Sequence, residues 1–280
     1  MKMTMERLCQ LIQLQPEIIK RLEVTASRMD FAQIECDLNR LLDKELAEPA
    51  YHRLEAAFQD DADHFKMLCC QLECACCTYD GYLEKGIPET IYIDTMKCFP
   101  RFIRECEEKN GRMFFDRGWW TYRQLCMSLF RIGALEYQFK NYGGEDVIAL
   151  HIPSDADLSE ESVDVSIEQA NQFFAAYYRD YKYCKYTCNS WLLSQALKPL
   201  LPEKSNILSF QERFEIVEED REDQGYLEWL FQVPPDTEHK NLPSVTRLQK
   251  KARELLLNGG KIGSAYGIMG RWPALTPQSS

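Results

Sequence analysis

The sequence lacks the features that would assign it to a membrane, secreted or nucleic-acid-binding class. No segment of its 280 residues is an apolar run long enough to cross a bilayer. The stretch from Met1 to Arg7 is charged and contains no apolar signal core, so we expect a cytoplasmic protein. Basic residues number 33 against 44 acidic ones, and a net charge of −11 repels phosphate backbones. We therefore expect neither a nucleic acid nor a membrane partner. The sequence carries no signal for an oligomeric state.

Several common catalytic motifs are also missing. The sequence contains no Gly-x-Gly-x-x-Gly, Walker A, His-Glu-x-x-His or Gly-x-Ser-x-Gly pattern, which removes the usual support for dinucleotide, nucleotide, zinc-protease and α/β-hydrolase chemistry. One glycine-rich segment, Gly259 to Gly267, follows a predicted helix. Phosphate loops precede helices, where backbone N–H groups converge on the anion. We interpret this segment as a helix C-cap and a turn.

The 12 cysteines do not indicate a disulfide framework, because the chain is large and has no export signal. Five of them crowd one predicted helix: Cys69, Cys70, Cys74, Cys76 and Cys77. Such a cluster could hold a soft metal, but Cys74 and Cys77 form a single CxxC without a second ligand pair. Free cysteine also packs well as a small apolar residue. We predict reduced thiols that pack between helices, and no metal.

The hydrophobic pattern predicts an α+β protein of two domains. From Met5 to about Asn110 the apolar residues recur at helical spacing, which indicates a helical domain over residues 1–110. Residues 111–269 form a second domain with strands and helices. The segment 270–280 has no apolar periodicity, and we predict that this tail is disordered.

The second domain begins with a predicted hairpin and a βαβ crossover. A helix that starts near Ser159 separates the hairpin from the next strand. The predicted strands are Leu129 to Phe139, Asp146 to Ile152, Tyr183 to Ser190, Phe214 to Glu218 and Tyr226 to Val233. The last two of these are predicted to pair, and a closing helix is predicted from Val245 to Asn258.

Candidate catalytic residues lie where two predicted parallel strands end, the usual position of a ligand crevice. His151 could accept a proton from an attacking amine, while Ser190 or Asn189 could orient the acceptor or a developing oxyanion. Cys188 is a candidate nucleophile for a two-step acyl transfer. The alternative is that the histidine and cysteine are ordinary core residues of the sheet.

Five short motifs together resemble a known family. They are Asp116 to Trp120, Leu150 to Pro153, Ser190 to Leu193, Ser205 to Ile207 and Phe210 to Phe214. Their order and spacing resemble bacterial acyltransferase-domain proteins that join a helical N-acyltransferase N-terminal domain to a GNAT-like C-terminal domain. The resemblance covers nearly the whole chain up to about Met269.

This resemblance implies a function and a set of binding residues. In GNAT enzymes an acyl-CoA wedges between two splayed parallel strands, and an amine attacks its thioester directly. On that mapping, Leu150, Ile152 and Pro153 lie along the pantetheine arm, and Asn206 stands at a cofactor-contacting position. The resemblance thus implies an acyl-CoA-dependent N-acyltransferase with acyl-CoA as co-substrate and a small-molecule amine as acceptor.

Two departures from the family pattern leave a second function open. The segment Pro153 to Glu161 has four carboxylates and no glycine where GNAT enzymes carry a basic, glycine-rich phosphate loop. Phe210 stands near the position of a tyrosine that protonates the leaving thiolate, so Tyr186, Cys188 or water would have to serve. The alternative function is a catalytically silent GNAT-like module that binds a small ligand or a protein in the cleft between its domains.

Overall fold

The computed structural model describes residues 2–183 and 185–269. The chain divides into two compact units, the first ending at Ile132 and the second beginning at Gly133. No helix in these described ranges is long and apolar enough to cross a membrane. The predicted disordered tail, residues 270–280, lies outside the described residues. The fold class is confirmed as α+β, with helices first and a mixed sheet after them.

The first unit is helical, as the spacing of its apolar residues predicts. Local signals begin its helices: the Thr4 hydroxyl accepts a hydrogen bond from the backbone N–H of Arg7 (3.2 Å), and Pro16 occupies a first-turn position. The elements described in this unit are α1 (Met5–Leu11), α2 (Pro16–Ala26), α3 (Phe31–Leu41), α4 (Ala47–Ala57), α5 (Phe65–Glu84), α6 (Glu89–Met96), α7 (Cys98–Asn110), α8 (Gly118–Leu125) and the short strand β1 (Leu129–Ile132).

The first unit continues past residue 110 because α8 is bonded to α5. The side-chain amide of Gln71 donates to the carbonyl of Gly118 (2.8 Å), and the Thr78 hydroxyl donates to the carbonyl of Leu125 (2.8 Å). All four residues are buried, so these bonds satisfy polar groups that water cannot reach. The structure therefore divides the chain later than residue 110.

The cysteine-rich helix α5 is the centre of the first unit. Cys69, Cys70, Cys74 and Cys76 are buried among other helices, and the thiol of Cys74 lies 3.4 Å from the carbonyl oxygen of Leu38. Burial raises the pKa of the Cys69 and Cys76 thiols to about 12. Within residues 2–183 and 185–269, no group of three or more His, Cys, Asp or Glu side chains is placed to hold a metal. These thiols fill space between helices.

We expect the first unit to lose stability in alkali through these thiols. Their folded pKa is raised from 9.0 to about 12, so their contribution to stability is complete below about pH 9 and is lost as pH rises toward 12. The free energy of unfolding, measured against pH, should fall across that window. Cys69→Ala should flatten the fall, whereas Cys36→Ala, at an exposed site, should leave it unchanged. Identical alkaline profiles for Cys69→Ala and wild type would contradict this account.

The second unit is built on a mixed sheet. Its strands are β2 (Leu135–Tyr142), β3 (Glu145–His151), β4 (Tyr186–Ser190), β5 (Phe214–Asp220) and β6 (Ser264–Met269), in the spatial order β2-β3-β4-β6-β5. Its described helices are α9 (Glu160–Tyr177), α10 (Asn206–Gln211), α11 (Gly225–Trp229) and α12 (Arg247–Leu257), with 3-10 turns at Trp191–Leu193, Gln195–Leu200 and His239–Asn241.

The predicted crossover is confirmed: β3 and β4 are parallel and joined through α9. Helix α9 packs on one face of the sheet, where the Tyr137 ring lies edge-on to Phe174 at 6.3 Å and the Tyr137 and Ser166 hydroxyls are 2.8 Å apart. Tyr186 belongs to the same face, since its hydroxyl donates to Asn171 of α9 (2.7 Å). Alternate residues of each strand therefore face the opposite side.

The predicted hairpin is confirmed with one change. β2 and β3 are antiparallel, and their turn contains Gly143 and Gly144, which both have positive φ. The long strand predicted from Leu129 to Phe139 is interrupted at Gly133, where φ is +61°. A left-handed residue turns the chain out of extended geometry, so this stretch forms β1 and β2 instead of one strand.

The predicted final strand pair is wrong in its second member. The segment Tyr226 to Val233 begins in helix α11, and the partner of β5 is β6, in the segment interpreted from sequence as a C-cap and turn. This helix joins a second apolar core, most of which lies in the connection between β5 and β6. The core is formed by Leu197, Tyr226, Leu227, Phe231, Leu242, Ala252, Leu256 and Ile262. It holds the long β5–β6 connection in a fixed structure.

Candidate active site

The two parallel strands β3 and β4 part before they end. Their pairing comprises Ile148 with Tyr186, Ala149 with Thr187, and Leu150 with Cys188. β3 continues alongside β2 to His151, and β4 continues alongside β6 to Ser190. Pairing therefore stops one residue before β3 ends and two residues before β4 ends, in agreement with the predicted separation of these neighbouring strands toward Pro153 and Trp191. The separation opens the sheet at the carboxyl ends of parallel strands, where ligands commonly bind.

His151 lies at this opening, on the sheet face opposite α9. Its Nε2 atom is 2.9 Å from Oε1 of Gln138 on β2, and Glu136 stands directly across from it in register. Both neighbours are buried, whereas His151 is half-buried. The ring is thus held by a bond to a packed side chain at the edge of the core.

The bond to the buried Gln138 amide orients the ring. It joins one ring nitrogen, Nε2, to Oε1 of Gln138, and which nitrogen carries the proton depends on the tautomer. Gln138 is a buried partner of His151 that the sequence did not reveal. Gln138 is paired with Ala149, which lies two residues before His151 on the same face of β3. The register of the predicted hairpin could therefore have identified it.

Cys188 lies at the base of the opening but inside the core. It is 1% exposed, belongs to the face that α9 covers, and burial raises the pKa of its thiol to about 12. A thiol needs a lowered pKa and access to act as a nucleophile. These properties favour a packing role for Cys188.

Ser190 and Asn189 follow Cys188 along β4. The Ser190 hydroxyl accepts the backbone N–H of Leu192 (3.1 Å), so it begins the 3-10 turn after the strand. Asn189 is exposed. It points to the same face as His151, because each of them follows a residue whose side chain faces α9. Of the two polar candidates on β4, Asn189 is the better placed to meet a ligand.

The residues mapped to the pantetheine arm lie along the end of β3. Leu150 is buried toward α9, Ile152 is half-buried just past the strand, and Pro153 is buried. The carbonyl of Pro153 accepts the N–H of Ala156 (3.0 Å), so the chain turns sharply here. Asn206 lies elsewhere in this unit, exposed at the first position of α10.

The loop after Pro153 is acidic in structure as it is in sequence. Asp157 accepts both the N–H (2.9 Å) and the hydroxyl (2.8 Å) of Ser159, and these bonds lower the pKa of its carboxyl. Glu160 and Glu161 occupy the first turn of α9, where they complement the positive end of the helix. Arg213 pairs with Asp164 one turn further on. Carboxylates of the chain itself thus cluster around the start of this helix.

The candidate proton donors for a leaving thiolate are poorly placed. Tyr186 lies on the α9 face, its hydroxyl contacts Asn171 and Tyr183, and burial raises its pKa well above the ordinary value. Phe210 is 1% exposed and packs against the Phe214 ring at 5.1 Å. Neither side chain is therefore exposed to a ligand at the opening.

One feature of this face was missed in the sequence. The rings of Tyr142 and Tyr266 stack with centroids 4.5 Å apart, on the same side of the sheet as His151. The signal was weak because Tyr266 lies in the glycine-rich segment that has the composition of a turn.

Both halves of the chain match known protein families. Residues 3–127 match the N-acyltransferase N-terminal domain, and residues 129–269 match the GNAT-like C-terminal domain. No curated protein is similar enough in sequence to count as a match.

Several solved structures share the fold. The crystal structure of an acyltransferase mutant in complex with octanoyl-CoA has a TM-score of 0.79 at 18% identity, over 94% of this chain and 86% of that one. An acyltransferase in complex with decanoyl-CoA and teicoplanin has a TM-score of 0.69 at 20% identity, over 95% and 99%. A third structure, an acyltransferase with CoA and 10C-teicoplanin, has a TM-score of 0.70 at 19% identity, over 95% and 99%.

Proposed function

This chain belongs to the family of proteins with a GNAT-like C-terminal domain, and we propose on that basis that it transfers an acyl group from an acyl-CoA to an amine. The observation that carries the proposal is the separation of β3 and β4 after the Leu150–Cys188 pair. An opening between parallel strands brings backbone groups and the His151 ring to the same place. A flexible thioester can lie along the strand edge there.

The chemistry needs one base and no covalent intermediate on the protein. The amine nitrogen forms a bond to the thioester carbon, its proton passes to the His151 ring, and the carbon–sulfur bond breaks to release CoA. The thiolate takes its proton from water or from the protonated ring. Asn189 stands on the same face to orient the acceptor or the developing oxyanion.

Direct transfer is favoured over a two-step route through Cys188. A nucleophilic thiol has to become a thiolate, and a buried thiol with a pKa of about 12 is almost entirely protonated near neutral pH. Ser190 is also a weak candidate for a covalent role, because its hydroxyl accepts a backbone bond that begins the following turn.

Acyl-CoA is the proposed co-substrate and an amine the proposed acceptor. Leu150, Ile152 and Pro153 are proposed to lie along the pantetheine arm, as the end of β3 borders the opening. Asn206 is proposed to contact the same ligand from α10. Solved relatives hold octanoyl-CoA or decanoyl-CoA, and one holds teicoplanin, so this compound is a rational first acceptor to test.

The acidic loop supports a second candidate function, a silent module that binds another ligand. Carboxylates at Asp155, Asp157, Glu160 and Glu161 repel the pyrophosphate and the 3′-phosphate of CoA. CoA binding on this chain has to overcome that repulsion, and its affinity should therefore increase with ionic strength. The silent module predicts no CoA binding at any salt concentration.

We expect the purified protein to bind CoA and to release thiol from an acyl-CoA when an amine acceptor is present. The assay follows thiol release across a panel of acyl-CoAs and amines that includes teicoplanin. Cys188→Ala should keep wild-type turnover within about threefold, because the buried thiol takes no part in direct transfer. A folded Cys188→Ala protein without turnover would contradict direct transfer. No binding of any CoA compound by the wild type would favour the silent module.

A further inference from the structure

The helical first unit contains a cavity that the proposed acyl transfer does not use. It lies between the end of α4 and the start of α5 and has a volume of about 280 Å³, here called the α4–α5 cavity. Its floor is formed by Tyr51 of α4 and Met67 of α5, which are 5% and 3% exposed. Its rim includes Glu55, Phe58, Asp61, Ala62 and His64. A space of this size fits a ligand smaller than a drug-sized molecule.

The chain that forms the rim is held in one shape. His64 has a φ of +57°, a left-handed conformation that is strained in a residue with a Cβ and that persists only where surrounding bonds fix it. The backbone N–H of His64 donates to the carbonyl of Asp61 (2.9 Å), and the Asp61 carboxylate accepts the backbone N–H of Lys66 (2.6 Å). The cavity is therefore preformed, which lowers the entropic cost of binding a ligand there.

The charge at the cavity is negative. Oε1 of Glu55 accepts the hydroxyl of Tyr51 (2.6 Å), and the other oxygen is 3.4 Å from the exposed His52 ring. In the part of the chain that the structure describes, no lysine or arginine forms an ion pair with Glu55 or Asp61. Burial, the bond to Glu55 and the charges of Glu55 and Asp116 raise the pKa of the Tyr51 phenol. Two carboxylates with open acceptor sites thus stand beside a buried ring.

Aromatic faces complement these carboxylates. The rings of Tyr51 and Phe58 both line the cavity, and such faces attract cations. The chain already holds one ammonium in this way, because Nζ of Lys66 lies 5.8 Å from the centroid of Phe58 and 2.7 Å from an oxygen of Asp60. Asp60 balances that charge. Among the described residues no group of three His, Cys, Asp or Glu side chains is arranged to hold a metal, so the chemistry favours an organic cation.

We propose that the α4–α5 cavity binds a small organic ammonium ion, a primary amine that carries one ring or a short alkyl chain. Its N–H groups donate to Glu55 and Asp61, and its apolar part packs on Tyr51, Phe58 and Met67. The site lies within the first unit and shares no residue with the opening between β3 and β4. It requires neither CoA nor the proposed acyl transfer.

The test is calorimetry on the full-length protein near pH 7, without CoA, with 2-phenylethylamine as the probe. The wild type should bind it with a dissociation constant below about 10 mM, the affinity that roughly nine well-packed heavy atoms provide. The neutral analogue 2-phenylethanol has nearly the same shape and should bind at least about tenfold more weakly, because it makes no charge-assisted bonds. Equal affinity for the two compounds, or no binding of the amine, would overturn the proposal.

Matched variants locate the binding. Glu55→Gln and Asp61→Asn keep the hydrogen-bonding oxygens and remove the charges, so each should weaken the amine about fivefold. Glu35→Gln, at an exposed carboxylate of α3 outside the cavity, should bind as the wild type does. Ala62→Lys places an ammonium of the chain itself at an exposed rim position, so it should weaken the amine more than about tenfold while the melting temperature is kept. Wild-type affinity in Asp61→Asn and Ala62→Lys would place the amine elsewhere and refute the site.

Discussion

Replacement of His151 by alanine should lower kcat/KM for acyl transfer by about 100-fold, the lower end of the usual loss for a general base. The ring is half-buried where the pairing of β3 and β4 stops, and its bond to the buried Gln138 holds it there. The amine acceptor would lose the group that takes its proton. The measurement is thiol release with saturating acyl-CoA, followed against pH.

A matched substitution separates catalysis from folding. His52 is an exposed histidine on α4 whose ring contacts Glu55 at 3.4 Å, and His52→Ala should keep wild-type rate and stability. In His151→Ala, the rise of rate with pH should disappear, while CoA affinity should stay within about threefold of wild type. Unchanged turnover in folded His151→Ala would remove the histidine from the mechanism. Unchanged CoA affinity together with a flat pH profile would support its role as the base.

Replacement of Gly263 by alanine should cost about 3 kcal/mol of unfolding free energy. Its φ of +67° is left-handed, and a Cβ there would overlap the carbonyl oxygen of Asp220 and stand 2.7 Å from Cα of Arg221. The left-handed conformation accounts for roughly 1 kcal/mol of this cost, and overlap with backbone that cannot rotate away accounts for roughly 2 kcal/mol. Urea unfolding followed by circular dichroism measures the loss.

Gly143 supplies the control for that prediction. Its φ of +61° is also left-handed, but a Cβ there would meet no atom within 4 Å. Gly143→Ala should therefore cost only about 1 kcal/mol, the penalty of the conformation alone. Equal losses for the two variants would show that overlap at Gly263 does not matter.

The local chemistry of the chain predicts the crossover and the opening between its strands well. A short continuous run of apolar residues, Val147 to Leu150, identifies β3, and helical spacing after Ser159 identifies α9. A proline just past β3 indicates where pairing stops. His151 could be placed at that edge from sequence because its position depends on these short-range signals.

The segment from Tyr226 to Val233 was wrongly predicted as a strand because tertiary packing decides its secondary structure. In the segment from Tyr226 to Val233, the apolar residues are too closely spaced to separate a strand from a helix. The structure buries Leu227 and Phe231, four residues apart, and leaves Trp229 44% exposed. A strand would place all three on one face. The second apolar core selects the helical alternative.

Glycine obscures β6 in the sequence. The segment from Gly259 to Gly267 has the composition of a turn, but Gly267 lies in the middle of a strand. A Cβ there would stand 2.8 Å from Cβ of Phe214 on the next strand. The glycine is required by close approach of a neighbour, which no local pattern reveals. The stack of Tyr142 on Tyr266 was missed with it, since Tyr266 belongs to the same strand.

The connection between β5 and β6 returns to the point from which it leaves. Asp220 and Ser264 are paired neighbours at its two ends, and the segment between them carries much of its own apolar core. A two-residue turn could join the same two positions, so the length of this segment is not set by the sheet. The connection could therefore be lengthened while the central strands stay in register, because long loops add little to the entropy of closure. The site is a natural place to graft a tag or a reporter.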